Sequence, residues 1–145
     1  MGAGHQVTTF MSRFFKRVGV AAAFAGILGT APAFALMPPY VYETARKEAA
    51  SVIVIAVEKV EVPRKGFGNC AVAGTVKVVE RGTAYTVGQA VTLAVSCAVA
   101  GATTPIGGII WQPVEKLKAS RFGRAYLDAA GAVAMSQYEQ LAELP

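Results

Sequence analysis

The sequence predicts an all-β domain with small α content: a five-stranded OB-like barrel in the order β-β-β-(loop or α)-β-β, carrying one disulfide. Three observations lead there. Runs dense in Val, Ile and Thr alternate with a period of two between Gly- and Pro-rich turns. The first of these runs changes phase halfway, as a bent strand does. The only two cysteines fall on the apolar face of their strands. An undefined antiparallel sandwich of the same strands is the alternative.

At 145 residues and 54% apolar content, the chain suits one domain and is too hydrophobic to be intrinsically disordered. Its first 35 residues read as an export signal. Arg13, Lys16 and Arg17 form a basic head, an uncharged stretch runs from Val18 to Ala35, and Ala33-Phe34-Ala35 supplies the small-x-small end that signal peptidase requires. Met11 opens a more usual signal than Met1 does, so it is an alternative start. The competing reading is a single membrane anchor. Against it, the uncharged run has 18 residues, near the lower limit for spanning, and Gly19, Gly26, Gly29 and Pro32 dilute it. No Cys follows, which excludes lipoprotein processing. Gln6 stands where a myristoylation motif needs Ser or Thr.

Cleavage at Ala35-Leu36 leaves 110 residues, with 11 basic against 9 acidic side chains, so the net charge falls from +5 to +2. The basic pI then gives no reason to expect nucleic acid. The expected compartment is the periplasm or the medium of a bacterium, with membrane contact only through the signal segment before cleavage.

Residues 36–50 form a leader. Its segment 42–50 (YETARKEAA) predicts one or two helical turns, and the β domain follows over 51–145. Residues 51–62 (SVIVIAVEKVEV) predict the first strand. Ile53, Ile55 and Val57 are apolar at odd positions, whereas Val60 and Val62 take over at even ones. A regular strand cannot keep both sets on one face, so a bulge near Val57-Glu58 is expected. A long bent first strand suits a small barrel, where it serves both halves of the wall.

After a turn at 63–69, residues 70–79 predict the second strand and 90–97 the third, with the loop 80–89 between them. Placing Cys70 opposite Cys97 pairs Val72 with Val95, Gly74 with Leu93 and Val76 with Val91, so one register serves both the apolar face and the cysteines. Residues 98–108 read as loop. Ile109-Ile110-Trp111 is a short apolar piece, and 114–120 a helical turn. Residues 122–128 predict the fourth strand, 129–131 a turn and 132–136 the fifth strand. Residues 138–144 (YEQLAEL) either extend that strand or form a terminal helix; their helix formers favour the helix.

The runs ASVIVIAVEKV and GTVKVVERGTAYTVGQAVTLAVSC resemble the OB-fold module of netrin-like and metalloproteinase-inhibitor-like proteins, including bacterial secreted relatives. The matching residues are Val76, Val78, Gly82, Tyr85, Val87, Gly88, Val91, Leu93 and Cys97, about a third of the chain. The resemblance implies the OB fold. It does not carry over the family's inhibitory chemistry, which resembles metal chelation by an N-terminal Cys, because no Cys precedes Cys70 here.

Removal of His5, the single histidine, leaves no Ser-His-Asp or Cys-His nucleophile and few ways to bind zinc. Two cysteines in an exported chain are expected to form a disulfide, Cys70–Cys97, rather than a metal site or a nucleophile. Gly66-Phe67-Gly68-Asn69-Cys70-Ala71 matches a dinucleotide motif by letter, but it opens a strand instead of a helix and is read as a hairpin loop. Glu58 and Glu61 read as solvated wall residues. Neither a metal site nor a cofactor is expected.

Lys116, Lys118, Arg121 and Arg124, with Phe122 beside them and Trp111 upstream, are the candidate ligand-binding residues. Cations with aromatics are what OB folds use for nucleotide or sugar ligands. The plainer reading is a solvated basic edge with Phe122 and Trp111 in the core. The expected function is a non-enzymatic binding module whose partner is an envelope protein or an anionic envelope polymer. The alternative is a protease or hydrolase inhibitor that inserts loop 80–89 or 98–108.

Overall fold

A computed structural model describes residues 37–145; the expected export segment and its cleavage site lie outside the described residues. The elements are α1 (Pro39–Glu48), β1 (Ser51–Glu61), β2 (Phe67–Arg81), β3 (Ala90–Ala98), β4 (Gln112–Pro113), α2 (Val114–Ala119), β5 (Phe122–Leu127) and β6 (Val133–Leu141). One curled sheet holds all six strands in the order β4-β3-β2-β1-β5-β6, and its curl brings β3 close to β6. The result is an OB-like half-barrel with six strands rather than five. The additional strand is the two-residue β4, which runs parallel to β3 at Cys97 and Ala98.

β1 is the central strand and bends as its sequence requires. Its ladder with β2 slips between Val57 and Lys59, leaving Glu58 unpaired at the expected bulge. Two further slips, between Val52 and Ile53 and between Val54 and Ile55, fall in the same ladder. Each extra residue increases the local twist, and three in one ladder curl the sheet. At the Val57–Gly74 pair, a Cβ on residue 74 would overlap the Ala56 carbonyl, so only glycine admits this close approach.

Ile53 and Ile55 point into the barrel and join Cys70, Val72, Val76, Leu93, Val95, Leu117 and Leu127 in one core. Val52 and Val54 point the other way and are buried too. Their neighbours across the ladders are Arg81 and Tyr126 for Val52, and Val78 and Arg124 for Val54. Long side chains thus cover the outer face of β1 with their stems while keeping their polar heads in water.

The disulfide joins Cys70 to Cys97 with 5.7 Å between Cα atoms. Its register corrects the expected one: Cys70 faces Val95, Cys97 faces Gly68, and Val72 faces Leu93. The slide is two residues, so every side chain keeps its face and the bridge runs diagonally. The cause lies upstream. β2 starts at Phe67, three residues earlier than its apolar alternation suggests, and the Val99 N–H donates to the Gly66 carbonyl at 2.7 Å, fixing the ladder end at Phe67–Ala98. A bridge of this kind persists in oxidising, extracytoplasmic surroundings.

α1 begins on Pro39, a residue suited to the first helical turn, so it starts three residues before the expected segment 42–50 and ends two residues short of it, at Glu48. α2 inserts Val114 and Leu117 into the core. The expected terminal helix is corrected: residues up to Leu141 continue β6, paired to β5 from Phe122–Leu141 to Ala125–Tyr138. Ladder partners and a buried place for Tyr138 outweigh the modest helix propensity of YEQLAEL. Between Val133 and Tyr138 the ladder slips, and Met135 and Ser136 take positive φ of 45° and 60°. That kink puts both Gln137 and Tyr138 in buried positions.

Side chains close the seam between the two ends of the sheet. Gln112 Nε2 donates to the Tyr138 carbonyl at 3.0 Å, Gln140 Nε2 donates to Gln112 Oε1 at 2.7 Å, and the Ser96 and Ser136 hydroxyls lie 3.4 Å apart.

Candidate functional site

The six expected ligand-binding residues do not converge. Lys116 on α2 and Arg121 just before β5 line a shallow groove of about 390 Å³ with Ala119, Ser120, Gln140, Leu141 and Ala142. Ser120 ends α2 by donating both its N–H and its hydroxyl to the Lys116 carbonyl, at 3.0 and 2.7 Å. This turn is what brings Lys116 and Arg121 to one groove. Lys118 is exposed but does not line it. Neither lysine, nor Arg121, has an ion-pair partner among the described residues. The Arg121 guanidinium lies 5.7 Å from the centre of the Phe122 ring, a cation–π arrangement that leaves its donors free.

Arg124 corrects the expected cluster. Its Nε and Nη2 form a two-point bridge to Glu80, both at 2.8 Å, and Nη1 reaches Glu139 at 3.0 Å. Glu80 belongs to β2 and Arg124 to β5, so the bridge spans β1. These bonds, Glu80 first and then Glu139, hold the guanidinium charged far above its ordinary range. Arg124 is a strap across the sheet and offers no spare charge to a ligand. Nearby, burial pushes the Tyr126 phenol up, Glu139 adds to the rise, and Arg124 and Arg46 oppose it.

Trp111 also stands apart. It meets Phe67 edge to face, with ring centres 5.8 Å apart, at the start of β2. Phe122 and Trp111 are each half-buried, and neither belongs to the main core.

A second basic groove, of about 340 Å³, is lined by Glu43, Arg46 and Lys47 of α1, Arg81 at the end of β2, and Tyr126 of β5. Arg46 and Lys47 are neighbours in the chain, but Arg81 lies 35 and 34 positions from them, and the three meet only because α1 packs beside the sheet. Another recess, of about 510 Å³, is lined by Ser51, Gly82, Thr83, Tyr85, Asp128 and Gly131 with small neighbours. Asp128 there is occupied, with Oδ1 accepting from the Ala130 and Ala132 N–H groups at 2.9 Å each. Glu58 and Glu61 are exposed; Glu58 accepts from the Thr75 hydroxyl and Glu61 pairs with Lys59 at 2.6 Å.

Among the described residues no three His, Cys, Asp or Glu side chains gather closely enough to hold a metal ion, and no helix is long and apolar enough to cross a membrane. The fold and grooves define a small disulfide-bonded OB-like domain with two open basic surfaces. Comparison with protein-family models, with curated proteins and with solved structures finds no match for the chain.

Proposed function

We propose that the chain is an exported, non-enzymatic binding module of the periplasm or medium, and that it recognises an anionic envelope polymer or envelope protein through the Lys116–Arg121 groove. The observation that carries the reading is the pair of cations on one groove without ion-pair partners among the described residues, one of them stacked on Phe122. Exposed cations of this kind attract polyanions at long range and release them as salt rises. The resemblance to the netrin-like module enters as part of the same proposal and concerns the fold alone.

Retention of the exported chain on immobilised lipopolysaccharide tests it. The Lys116→Gln, Lys118→Gln, Arg121→Gln variant is expected to elute at markedly lower salt than the parent. Equal elution overturns the reading. On the same proposal, N-terminal sequencing of periplasmic protein yields Leu36.

A second reading, an inhibitor acting through a loop, is favoured by residues 98–108. Ile106 is 67% exposed on a loop held at its base by the Cys97 bridge and at its far end by Tyr42, whose hydroxyl donates to the Gly108 carbonyl at 2.8 Å. Inhibition of a purified protease that is lost in Ile106→Asp, with the basic groove intact, would favour this reading over the first.

A further inference from the structure

We infer that the groove formed by Arg46, Lys47 and Arg81 is a separate site for a phosphate group, presented by a phosphorylated small molecule or by a lipid headgroup. Three cations and one carboxylate, Glu43, line it beside the Tyr126 ring. Outside the lining, Glu80 is engaged by Arg124 and Glu139 by Arg124 and Tyr126, while Glu48, the residue after Lys47, is exposed and does not line the groove.

Both guanidinium groups are held in place by one edge only. Arg81 Nη1 donates to the carbonyls of Arg46, Lys47 and Ala49, at 2.9, 3.0 and 3.2 Å, and so caps the last turn of α1. Its Nε and Nη2 make no hydrogen bond within the described residues. Arg46 Nη1 donates at 2.7 Å to Oε1 of Gln137, which is itself buried and tied through its Nε2 to the Met135 carbonyl. A guanidinium has five N–H donors, so each arginine keeps most of its fork for a ligand while its position is already fixed. That lowers the ordering cost of binding.

The C-terminus of a helix ordinarily repels anions, with about half a negative charge on its free carbonyls. Here Arg81 occupies those carbonyls, and Arg46 and Lys47 exceed what remains. Two planar forks with one ammonium suit an oxygen-rich, multiply charged group better than a single carboxylate, which one arginine satisfies.

Calorimetric titration of the full chain with pyrophosphate, and flotation with vesicles of phosphatidylcholine alone or mixed in equal parts with phosphatidic acid, test the site. Binding to pyrophosphate identifies a free phosphorylated ligand, and binding to the mixed vesicles alone identifies a headgroup. In either arm Arg46→Gln with Lys47→Gln is expected to weaken binding about tenfold or more, the scale of losing charge-assisted bonds. Lys47→Gln alone, which keeps the Arg46–Gln137 bond and hence the seat of α1, weakens it severalfold. Glu43→Gln strengthens it. In the pyrophosphate arm Lys116→Gln with Arg121→Gln leaves binding unchanged, so failure of this site and failure of the Lys116–Arg121 groove are separable. Absence of binding in both arms, or binding undiminished in the Arg46–Lys47 variant, overturns the inference.

Discussion

The phenol oxygen of Tyr138 lies against the Cα of Gly123, and it is buried without a hydrogen-bond partner among the described residues. Tyr138 pairs with Ala125 in the β5–β6 ladder and reaches diagonally across to the glycine two residues away. An aromatic ring over a strand glycine covers backbone that the missing side chain leaves bare. The hydroxyl gains nothing from this arrangement, because a buried polar group without a partner is costly.

Tyr138→Phe is therefore expected to raise stability by about 1–2 kcal/mol, the cost of an unsatisfied buried hydroxyl. Urea unfolding at neutral pH checks it; a destabilised variant would reveal a partner for the hydroxyl. The same residue governs alkaline behaviour. Burial pushes its phenol up to about 12, whereas an unfolded tyrosine releases its proton near the ordinary value of 10.0. The folded state thus keeps a proton that the unfolded chain loses, so the parent's stability is intact below pH 10 and drains between pH 10 and 12. Linkage puts the loss at about 2 kcal/mol by pH 12. Tyr138→Phe should flatten that decline.

Gly123→Ala acts at the other partner. A Cβ at this position would overlap the Tyr138 phenol, so the ring must shift. Overpacking of this kind costs about 1–3 kcal/mol. Combining it with Tyr138→Phe removes the nearest obstructing atom and should recover part of the loss, which a double-mutant cycle in urea measures.

Arg124→Met leaves Glu80 and Glu139 without their strap. The side chains are 22% (Arg124), 29% (Glu80) and 41% (Glu139) exposed, so water and salt screen much of the attraction. A destabilisation of about 1 kcal/mol, shrinking in high salt, is the expected result. Retention on an anionic polymer should not change, since the guanidinium is already committed. Loss of retention in a variant of native stability would return Arg124 to the binding surface.

The Cys70→Ala, Cys97→Ala variant should unfold well below the parent. The bridge joins positions 27 apart, and closing a loop of that length restricts the unfolded chain by about 3–4 kcal/mol in the entropic account. Reduction of the parent should lower its melting temperature to that of the variant. Two titratable thiols in unreduced protein would contradict the bridge.

Much of this molecule is legible along the chain because the information is local. Strand alternation has a period of two, so the faces of Ile53, Val72, Val95 and both cysteines follow from their spacing, and so does the bulge that the change of phase demands at Val57-Glu58. A slide of two residues leaves those faces intact, and for that reason the alternation could not distinguish Cys70–Cys97 pairing from the Cys70–Val95 register that exists. Tertiary structure decided everything that depends on which distant strands lie side by side. It turned helix-forming residues 138–141 into strand by offering β5 as a partner, and it committed Arg124 to Glu80 across β1. It also gathered Arg46, Lys47 and Arg81 around the end of α1. Charges can be counted from sequence, but whether a charge is spent in a bridge or left for a ligand depends on neighbours that only the folded chain supplies.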